Sequence, residues 1–418
     1  MMIYIVCLLV FLNVGFGSSA DFDPFALDPD EFKLEQVQVL FRHGDRTPRK
    51  QEIYKNDPYQ LAYSNIGYGN LTDMGRDRMM KVGSRLRDLY GDFLGKTGIE
   101  EVLAYYAGST RTEISLRILL AGLFSSTRLV FVNNEKPKMP LTLHNDSAEL
   151  NFLTTGMDGE CSPQYFQKVE QNLNVLTWES RSRGLYNFDM ISLIANLTGV
   201  RPTLLALTWL YYNLDAVEHM GLQKPQWCSK VDCSYLKDVA KLFAKSLTVD
   251  EWMKRITAGP LLQQFLKNME NSASDQKKLH LYSAHDFQII TLTQTLNFAS
   301  VPELPDYGSC ITIEKIRGER DGRAYVRMII RTGEKTPRVI PLYIQGCDFY
   351  CPIETFSMIV RPFFPSDRDW DCPETTPQDI NIVSYSLSEK SKESNCRRKL
   401  KRKCGPVNPS EFESEFRS

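Results

Sequence analysis

Apolar residues at positions 34–41 first alternate with polar residues and then become continuous, which predicts a buried or half-buried β-strand. Further strands are predicted near Val102 and near Leu279. Two later segments, 311–316 and 325–330, are separated by a glycine-bounded turn and are typical of a hairpin. These segments together predict a sheet that draws its strands from both ends of the chain.

Helical spacing predicts the layers that cover this sheet. A core helix begins after Thr72, a suitable N-cap, and carries the apolar positions Met79, Val82, Leu86 and Leu89. In the middle of the chain, short helices are predicted over 186–197, 203–214 and 236–247. Because 418 residues with 42% hydrophobic content can bury a large core, we expect one two-lobed unit and not several independent domains.

The change from mixed to helical patterning predicts the boundaries of the two lobes. Residues 21–138 and 248–374 form an α/β catalytic domain, and residues 139–247 form a mainly helical cap inserted between them. A polar tail follows at 375–418. The basic cluster in that tail is more typical of a solvated or protease-sensitive segment than of a tether for polyanions. A formal net charge of −1 gives no indication of nucleic-acid binding.

The N-terminus predicts the compartment. Residues 1–20 are mostly apolar up to Phe16 and end in Ser18-Ser19-Ala20, as in a cleaved signal peptide. An uncleaved anchor is the alternative, since no Lys or Arg precedes the apolar run. No later run approaches the roughly 18 apolar residues of a membrane span. We therefore expect a secreted or luminal, including lysosomal, protein without a stable membrane span. The sequons predict glycosylation at Asn70, Asn145 and Asn196.

The heptapeptide RHGDRTP, residues 42–48, directly follows the first predicted strand. Attack on a phosphate monoester requires a nucleophile held in line and cations that neutralise the phosphate oxygens. Arg42 and Arg46 have the planar, permanently charged groups that bind such oxygens in pairs. Their charges also disfavour protonation of His43 and so leave a ring nitrogen free to attack. An exposed basic turn with an incidental histidine is the bland alternative.

This heptapeptide and the distant block SAHD, residues 283–286, resemble the RHGxRxP loop and HD pair of the histidine acid phosphatases. The resemblance extends over about 32–372 and is to the secreted animal type, such as lysosomal, prostatic and insect venom acid phosphatases. Further blocks support it: the turn from Gly69 to Gly75 and the segment CDFYCP at 347–352. It implies an α/β fold with a doubly wound mixed sheet, helices on both faces as in phosphoglycerate mutases, and a smaller helical cap.

The resemblance also implies roles for individual residues. His43 becomes phosphohistidine, Arg42 and Arg46 bind the phosphoryl oxygens, His285 adds a further contact, and Asp286 is the proton donor. A carboxyl group with an ordinary pKa of about 3.9 is mostly ionised at neutral pH, so an acidic optimum is expected. This scheme requires no metal and no cofactor, and it predicts small phosphomonoester substrates. Family members are commonly homodimers, which makes a homodimer a further expectation.

One block departs from the family pattern. Where the family usually has RSTxxDRT, with the first arginine as a third phosphate contact, this chain has YYAGSTRT at 105–112. The departure places Tyr105 at the position of that arginine, or Gly108 if the alignment is shifted. Losing one preorganised donor costs about 10²-fold or more in rate. Arg111 is a candidate substitute, although a structural role at the start of a helix is favoured for it.

The cysteines are typical of an oxidising compartment, and nine of the ten remain once Cys7 leaves with the signal peptide. The resemblance implies two disulfides, Cys161 with Cys372 and Cys347 with Cys351. The family's third bridge reaches the position of Cys310, but Ala216 occupies its usual partner position.

Two alternatives remain open for Cys310. Either Cys228 or Cys233 replaces the missing partner, or those two pair and leave Cys310 free. A loop between Cys396 and Cys404 is expected in the tail, and a zinc site is a weak rival because no CxxC pair occurs.

The sequence therefore predicts a secreted, metal-independent acid phosphatase that acts through phosphohistidine. A secreted protein that binds phosphorylated ligands on the same scaffold without turnover is the alternative, motivated by Tyr105. A phytase or a phosphoglycerate mutase relative fits less well, because a phytase would be expected to have a more basic cleft. Aromatic residues of the cap region are assigned to packing, not to recognition of the leaving group: Trp178, Tyr211, Tyr212 and Trp227.

Overall fold

The computed structural model describes residues 25–95, 98–125, 141–145, 153, 161–181, 187–271, 276–333 and 337–372. The predicted signal peptide, the polar tail and the Cys396–Cys404 loop lie outside these residues.

The described residues form one mixed sheet. Its strands are β1 Phe32–Arg42, β2 Val102–Tyr106, β3 Leu143–Asn145, β4 Leu279–Ala284, β5 Cys310–Gly318, β6 Ala324–Arg331, β7 Val339–Leu342 and β8 Cys351–Pro352. Their order is β3-β2-β4-β1-β5-β6-β7, with β8 paired to β6. The strands from β3 to β1 are parallel to their neighbours, and those from β5 onward are antiparallel. The five strands predicted from apolar patterning are all present, as β1, β2, β4, β5 and β6.

Helices cover the sheet, with bounds α1 Gln60–Ile66, α2 Asp73–Leu94, α3 Thr110–Leu123, α4 Ser162–Arg181, α5 Phe188–Thr198, α6 Leu204–His219, α7 Ser234–Lys245, α8 Glu251–Thr257, α9 Gly259–Glu270, α10 Asp286–Thr295 and α11 Ile353–Val360. Alternate residues of β1 face opposite sides. Val39 and Phe41 pack in the cluster with α2 and α3, whereas Leu40 packs in the cluster with α9, α10 and α11. The predicted fold, with helices on both faces of a mixed sheet, is confirmed.

Helices α4 to α7 form a separate apolar cluster with α8. Tyr54 from the first lobe and Phe287 and Ile290 from α10 also belong to this cluster. The helical region is thus joined to the lobe that carries the sheet through α10, which begins at the HD pair. The lobe boundaries drawn from the sequence stay a prediction.

Disulfide bonds join Cys161 to Cys372 and Cys347 to Cys351, the two pairs implied by the family resemblance. Cys228 pairs with Cys233, which selects one of the two alternatives left open by the sequence. Cys310 is buried and unpaired among the described cysteines, and burial raises the pKa of its thiol. A neutral, inaccessible thiol is inert toward oxidation and exchange.

The start of α2 supports the heptapeptide through a close backbone contact. Thr72 accepts a hydrogen bond from the Gly75 N–H at 3.1 Å, as expected of an N-cap. A Cβ atom on Gly75 would lie 2.2 Å from the Asp45 carbonyl oxygen and 2.7 Å from its nitrogen. Only glycine therefore allows this helix to approach the heptapeptide so closely.

We expect Gly75→Ala to lower the free energy of unfolding by about 1–3 kcal/mol, because two backbone segments must move apart. It should also lower kcat, since the displaced segment carries the heptapeptide. Gly91→Ala on the same helix is the matched control, because its Cβ would meet only the Arg87 side chain, at 3.2 Å, which can move. Denaturant unfolding compares the two variants, and equal midpoints would contradict the account.

Candidate active site

The two sequence motifs meet at one edge of the sheet. Strands β1 and β4 are parallel neighbours, with Arg42 paired in register to Ala284. The His43 N–H donates to the Ala284 carbonyl at 3.0 Å, just before His285 and Asp286. Because the carboxyl ends of adjacent parallel strands coincide, residues some 240 positions apart lie in one crevice.

His43 is held as a neutral ring by hydrogen bonds at both of its nitrogens. Its Nδ1 lies 2.8 Å from the Gly44 carbonyl oxygen, which can only accept, so this nitrogen carries the proton. The Nε2 atom is then unprotonated, and it accepts a hydrogen bond from Arg111 Nε at 3.2 Å. Burial holds the pKa of His43 well below its usual range, with further lowering by the charges of Arg111 and other nearby groups. The ring is thus neutral even in mild acid.

Arg42 is oriented from three sides. Its Nη1 donates to the Pro305 carbonyl at 2.7 Å, and its Nη2 lies 3.2 Å from Asp286 Oδ2. The guanidinium carbon lies 3.9 Å from the centre of the Tyr307 ring. Among the described residues its buried Nε has no hydrogen-bond partner. A fixed cation with one unused donor is suited to an anionic ligand.

Arg46 is fixed by a buried carboxylate that the sequence reasoning did not single out. Glu52 accepts from Arg46 Nη1 at 2.6 Å and from Nη2 at 2.8 Å, and from Arg49 Nε at 2.7 Å. Burial alone would raise the pKa of Glu52, but the charges of Arg46 and Arg49 lower it to about 2. Glu52 therefore stays ionised in acid and keeps both guanidinium groups in place.

Asp45 anchors the heptapeptide to α2. Its carboxylate is fully buried and accepts from Arg78 Nε at 2.6 Å and from Nη2 at 2.9 Å. A bidentate pair of this kind fixes both position and direction. The aspartate thus has a structural partner, which leaves the arginines and the histidine of the heptapeptide to line the crevice.

Arg111 reaches His43 from the first turn of α3. Burial lowers the pKa of its guanidinium to about 9, and the charges of Arg46 and Arg49 contribute. Tyr105 lies elsewhere, because its ring stacks on Tyr282 at 5.6 Å within the core. A structural role at the helix start was favoured for Arg111 from its sequence position, and its side chain also reaches His43 in the crevice.

The HD pair lies on the other side of His43. The rings of His285 and His43 meet edge to face, with centroids 5.3 Å apart. Asp286 opens α10, where its Oδ1 accepts from the Phe287 N–H at 2.9 Å, and its side chain is 22% exposed. Its second oxygen lies next to Arg42, 3.2 Å from Nη2. All six predicted site residues are brought together: Arg42, His43, Arg46, Arg111, His285 and Asp286.

A family model described as Histidine phosphatase superfamily (branch 2) matches residues 33–331. The chain belongs to this family. Lysosomal acid phosphatase of Rattus norvegicus is 32% identical over 346 residues, which is 81% of this chain and 80% of that protein. Prostatic acid phosphatase of Rattus norvegicus is 30% identical over 367 residues, covering 85% and 93%. Venom acid phosphatase Acph-1 of Apis mellifera is 28% identical over 356 residues, covering 81% and 88%.

Solved structures in the same family share the fold. The phytase from Citrobacter braakii superimposes with a TM-score of 0.61 at 16% identity, covering 81% of this chain and 99% of that one. The apo form of Hafnia alvei phytase gives a TM-score of 0.59 at 17% identity, covering 83% and 100%. At such identities the likeness shows the fold alone. The predicted family and the predicted enzyme class, a phosphoric monoester hydrolase of the acid phosphatase type, are confirmed by the acid phosphatase relatives.

Six residues around the site were not predicted from the sequence as site residues: Arg49, Glu52, Asp215, His219, Asp306 and Tyr307. For Glu52 a signal existed, because a lone acid follows a cluster of arginines at 42–49. His219 and Tyr307 had no comparable signal, since the residues that they meet are distant in sequence. Within the described ranges, no group of His, Cys, Asp and Glu residues is arranged to hold a metal ion.

The surface features bear on localisation. The sequon residues Asn70, Asn145 and Asn196 are all exposed, as an acceptor must be. Among the described helices, none combines the length and the apolar character that a bilayer crossing requires. Glycosylation at the three sites stays a prediction.

Proposed function

We propose that this chain is a secreted or luminal acid phosphatase that hydrolyses small phosphate monoesters through a phosphohistidine at His43. The proposal rests on the hydrogen bonds that determine which nitrogen of the neutral His43 ring carries the proton. With its proton on Nδ1, bound to the Gly44 carbonyl, the ring presents the Nε2 lone pair within a cluster of guanidinium groups. Attack on phosphorus requires such an unprotonated nitrogen, which becomes free when Arg111 donates to a phosphoryl oxygen instead.

In the first step, Nε2 of His43 attacks phosphorus and the bond between phosphorus and the ester oxygen breaks. Asp286, acting in its carboxylic acid form, gives its proton to the departing oxygen, which leaves as an alcohol. Arg42, Arg46 and Arg111 neutralise the phosphoryl oxygens throughout. The unused Nε donor of Arg42 supports its share in this role.

In the second step, water attacks the phosphohistidine and the phosphorus–nitrogen bond breaks. The Asp286 carboxylate takes a proton from this water, which restores the acid for the next turnover. Its neighbour Arg42, at 3.2 Å, stabilises the carboxylate between the two steps. Inorganic phosphate is the product, and no metal or cofactor takes part in this scheme.

The alternative function, binding of phosphorylated ligands without turnover, was motivated by Tyr105 at the position of the third arginine. The placement of Arg111 weakens that motive, because a guanidinium lies within hydrogen-bond distance of the nucleophile. The localisation and the homodimer expected from the family remain proposals.

Release of phosphate from a generic aryl phosphate between pH 4 and pH 8 tests the proposed function. The protein should be expressed through a secretory pathway so that its disulfides form. We expect multiple turnovers with an acidic optimum, and no loss of activity in excess chelator. Stoichiometric binding of the ester without release of phosphate would instead support the alternative.

We expect Arg111→Met to lower kcat/KM by about 10²–10³-fold, the usual cost of removing one preorganised donor. Because the charge of Arg111 lowers the pKa of His43, its removal should also raise that pKa. On the acidic side of the pH profile, the activity of the variant should therefore begin to fall at a higher pH than that of the wild type. Steady-state kinetics across pH measure both effects.

Arg76→Met is the control for this experiment, since Arg76 makes only a surface pair with Asp73 at 3.8 Å. It should leave kcat/KM unchanged. A folded Arg111→Met variant with wild-type kcat/KM at every pH would show that Arg111 has no role in catalysis.

A further inference from the structure

The C-terminal end of α6 contacts the loop before β5 through a partly buried histidine, His219. His219 Nε2 lies 3.0 Å from Asp306 Oδ1, and its Nδ1 lies 2.8 Å from the Asp215 carbonyl oxygen. The Asp215 carboxylate is 3.6 Å from the same nitrogen. Both ring nitrogens therefore face acceptors, which is an arrangement that a protonated imidazole satisfies fully.

The loop that His219 contacts is the one that orients Arg42. Asp306 stands between Pro305, whose carbonyl accepts from Arg42 at 2.7 Å, and Tyr307, whose ring lies 3.9 Å from the Arg42 guanidinium carbon. The Tyr307 ring centre is also 4.9 Å from that of His219 and 5.7 Å from that of His43. Three consecutive residues thus contact the phosphate-site arginine on one side and α6 on the other.

We propose that His219 and Asp306 form a clamp that fixes the loop 305–307 to α6 and thereby positions Arg42 for binding phosphate. The inference rests on the proposed function, because it takes Arg42 to be a phosphate ligand. Both are positioning residues, since neither contacts the reacting atoms. Truncating the clamp should loosen Arg42 without removing it.

Electrostatics make this clamp strongest in acid. Burial alone would lower the pKa of His219, but its hydrogen bond to Asp306 and the charge of Asp215 raise it to about 9. Burial alone would raise the pKa of Asp306, yet His219, Arg78 and Arg42 lower it, so that carboxylate stays ionised in acid. The pKa of Asp215 is raised, chiefly by burial, with Arg42 opposing the shift.

The sign of the pH dependence follows from the raised pKa of His219. Since the unfolded value is about 6.5, the stabilisation from its charge is complete below that pH and is lost as the pH rises through about 9. The remaining titratable neighbours, Tyr211 and Tyr307, have raised pKa values and stay neutral over this range. The clamp should therefore be intact throughout the acidic range in which an acid phosphatase works.

Binding of inorganic phosphate tests the clamp directly. We expect His219→Gln and Asp306→Asn each to raise the dissociation constant for phosphate at pH 5.5, measured by calorimetry, by about five-fold. KM for an aryl phosphate should rise in parallel, with kcat changed by less than about two-fold. The double variant should bind phosphate no more weakly than either single variant. Between pH 7.5 and pH 9.5 the difference between wild type and His219→Gln should shrink.

Glu218→Gln is the matched control, because Glu218 is an exposed neighbour on the same helix whose pair with Lys224 is 3.8 Å long. It should bind phosphate as the wild type does. If His219→Gln does not fold, Asp306→Asn tests the same bond from the loop side.

Two results would overturn the clamp: folded variants that bind phosphate as tightly as the wild type at pH 5.5, or effects that add in full in the double variant. The proposed function fails separately, if the wild type binds phosphate but never releases it from an ester. In that case calorimetry still decides whether the clamp exists. A wild type that does not bind phosphate at all would refute both.

Discussion

His43→Ala is expected to lower kcat on the order of 10⁴-fold, because the nucleophile and the phosphoenzyme intermediate are both lost. Burst kinetics with an aryl phosphate should show a phosphoenzyme in the wild type that is stable in base and absent from the variant. His144→Gln is the control, since His144 packs beside Tyr105 at 5.1 Å and has no role in the scheme.

A double variant tests whether His43 and Arg111 act together in catalysis. Residues that act as one unit in catalysis lose activity together and not additively. The kcat of the double variant His43→Ala, Arg111→Met should therefore be only slightly lower than that of His43→Ala alone, because Arg111 no longer has an attacking nitrogen to assist. If His43→Ala retains the wild-type rate, the phosphohistidine mechanism is wrong.

Asp286→Asn is expected to lower kcat by about 10²–10⁴-fold for an alkyl phosphate, the usual contribution of general acid catalysis. The loss should be much smaller for an aryl phosphate with a good leaving group, because such a group departs without a proton. Asparagine retains the shape of the side chain and can still accept from the Phe287 N–H. Comparing the two substrates in one variant separates proton donation from a general disturbance of the site.

An equal loss of rate for both substrates, which is an unchanged dependence on the leaving group, would contradict this role of Asp286. It would indicate that the residue only positions Arg42 through their contact at 3.2 Å. Asp215→Asn is a suitable comparison, since Asp215 is another carboxylate near Arg42 but lies on α6.

Apolar patterning predicted the sheet well because its strands are amphipathic or fully buried. In β1, the alternation places Val39 and Leu40 on opposite faces, each with its own helical layer. The grouping of His43, the two arginines of its heptapeptide and the HD pair was also predictable, because they occupy two short segments at the ends of adjacent parallel strands. Local sequence was sufficient wherever the backbone itself brought the residues together.

The parts of the site that were missed depend on long side chains and distant loops. The position of Tyr105 indicated a missing cation, yet Arg111 reaches the nucleophile from the next helix, and the direction of a guanidinium cannot be read from its place in a motif. The contact of Asp306 with His219 joins segments 87 residues apart, and no sequence pattern predicts it. The pairing of Cys228 with Cys233 likewise needed coordinates.

The carboxylate shared by Arg46 and Arg49 has a consequence for product release. Four guanidinium groups near two histidines would hold inorganic phosphate so firmly that its departure would limit turnover. Glu52, ionised down to a pH of about 2, offsets one of those positive charges whatever the state of Asp286. The shared carboxylate thus leaves enough positive charge to attract an ester and weakens the hold on the free anion.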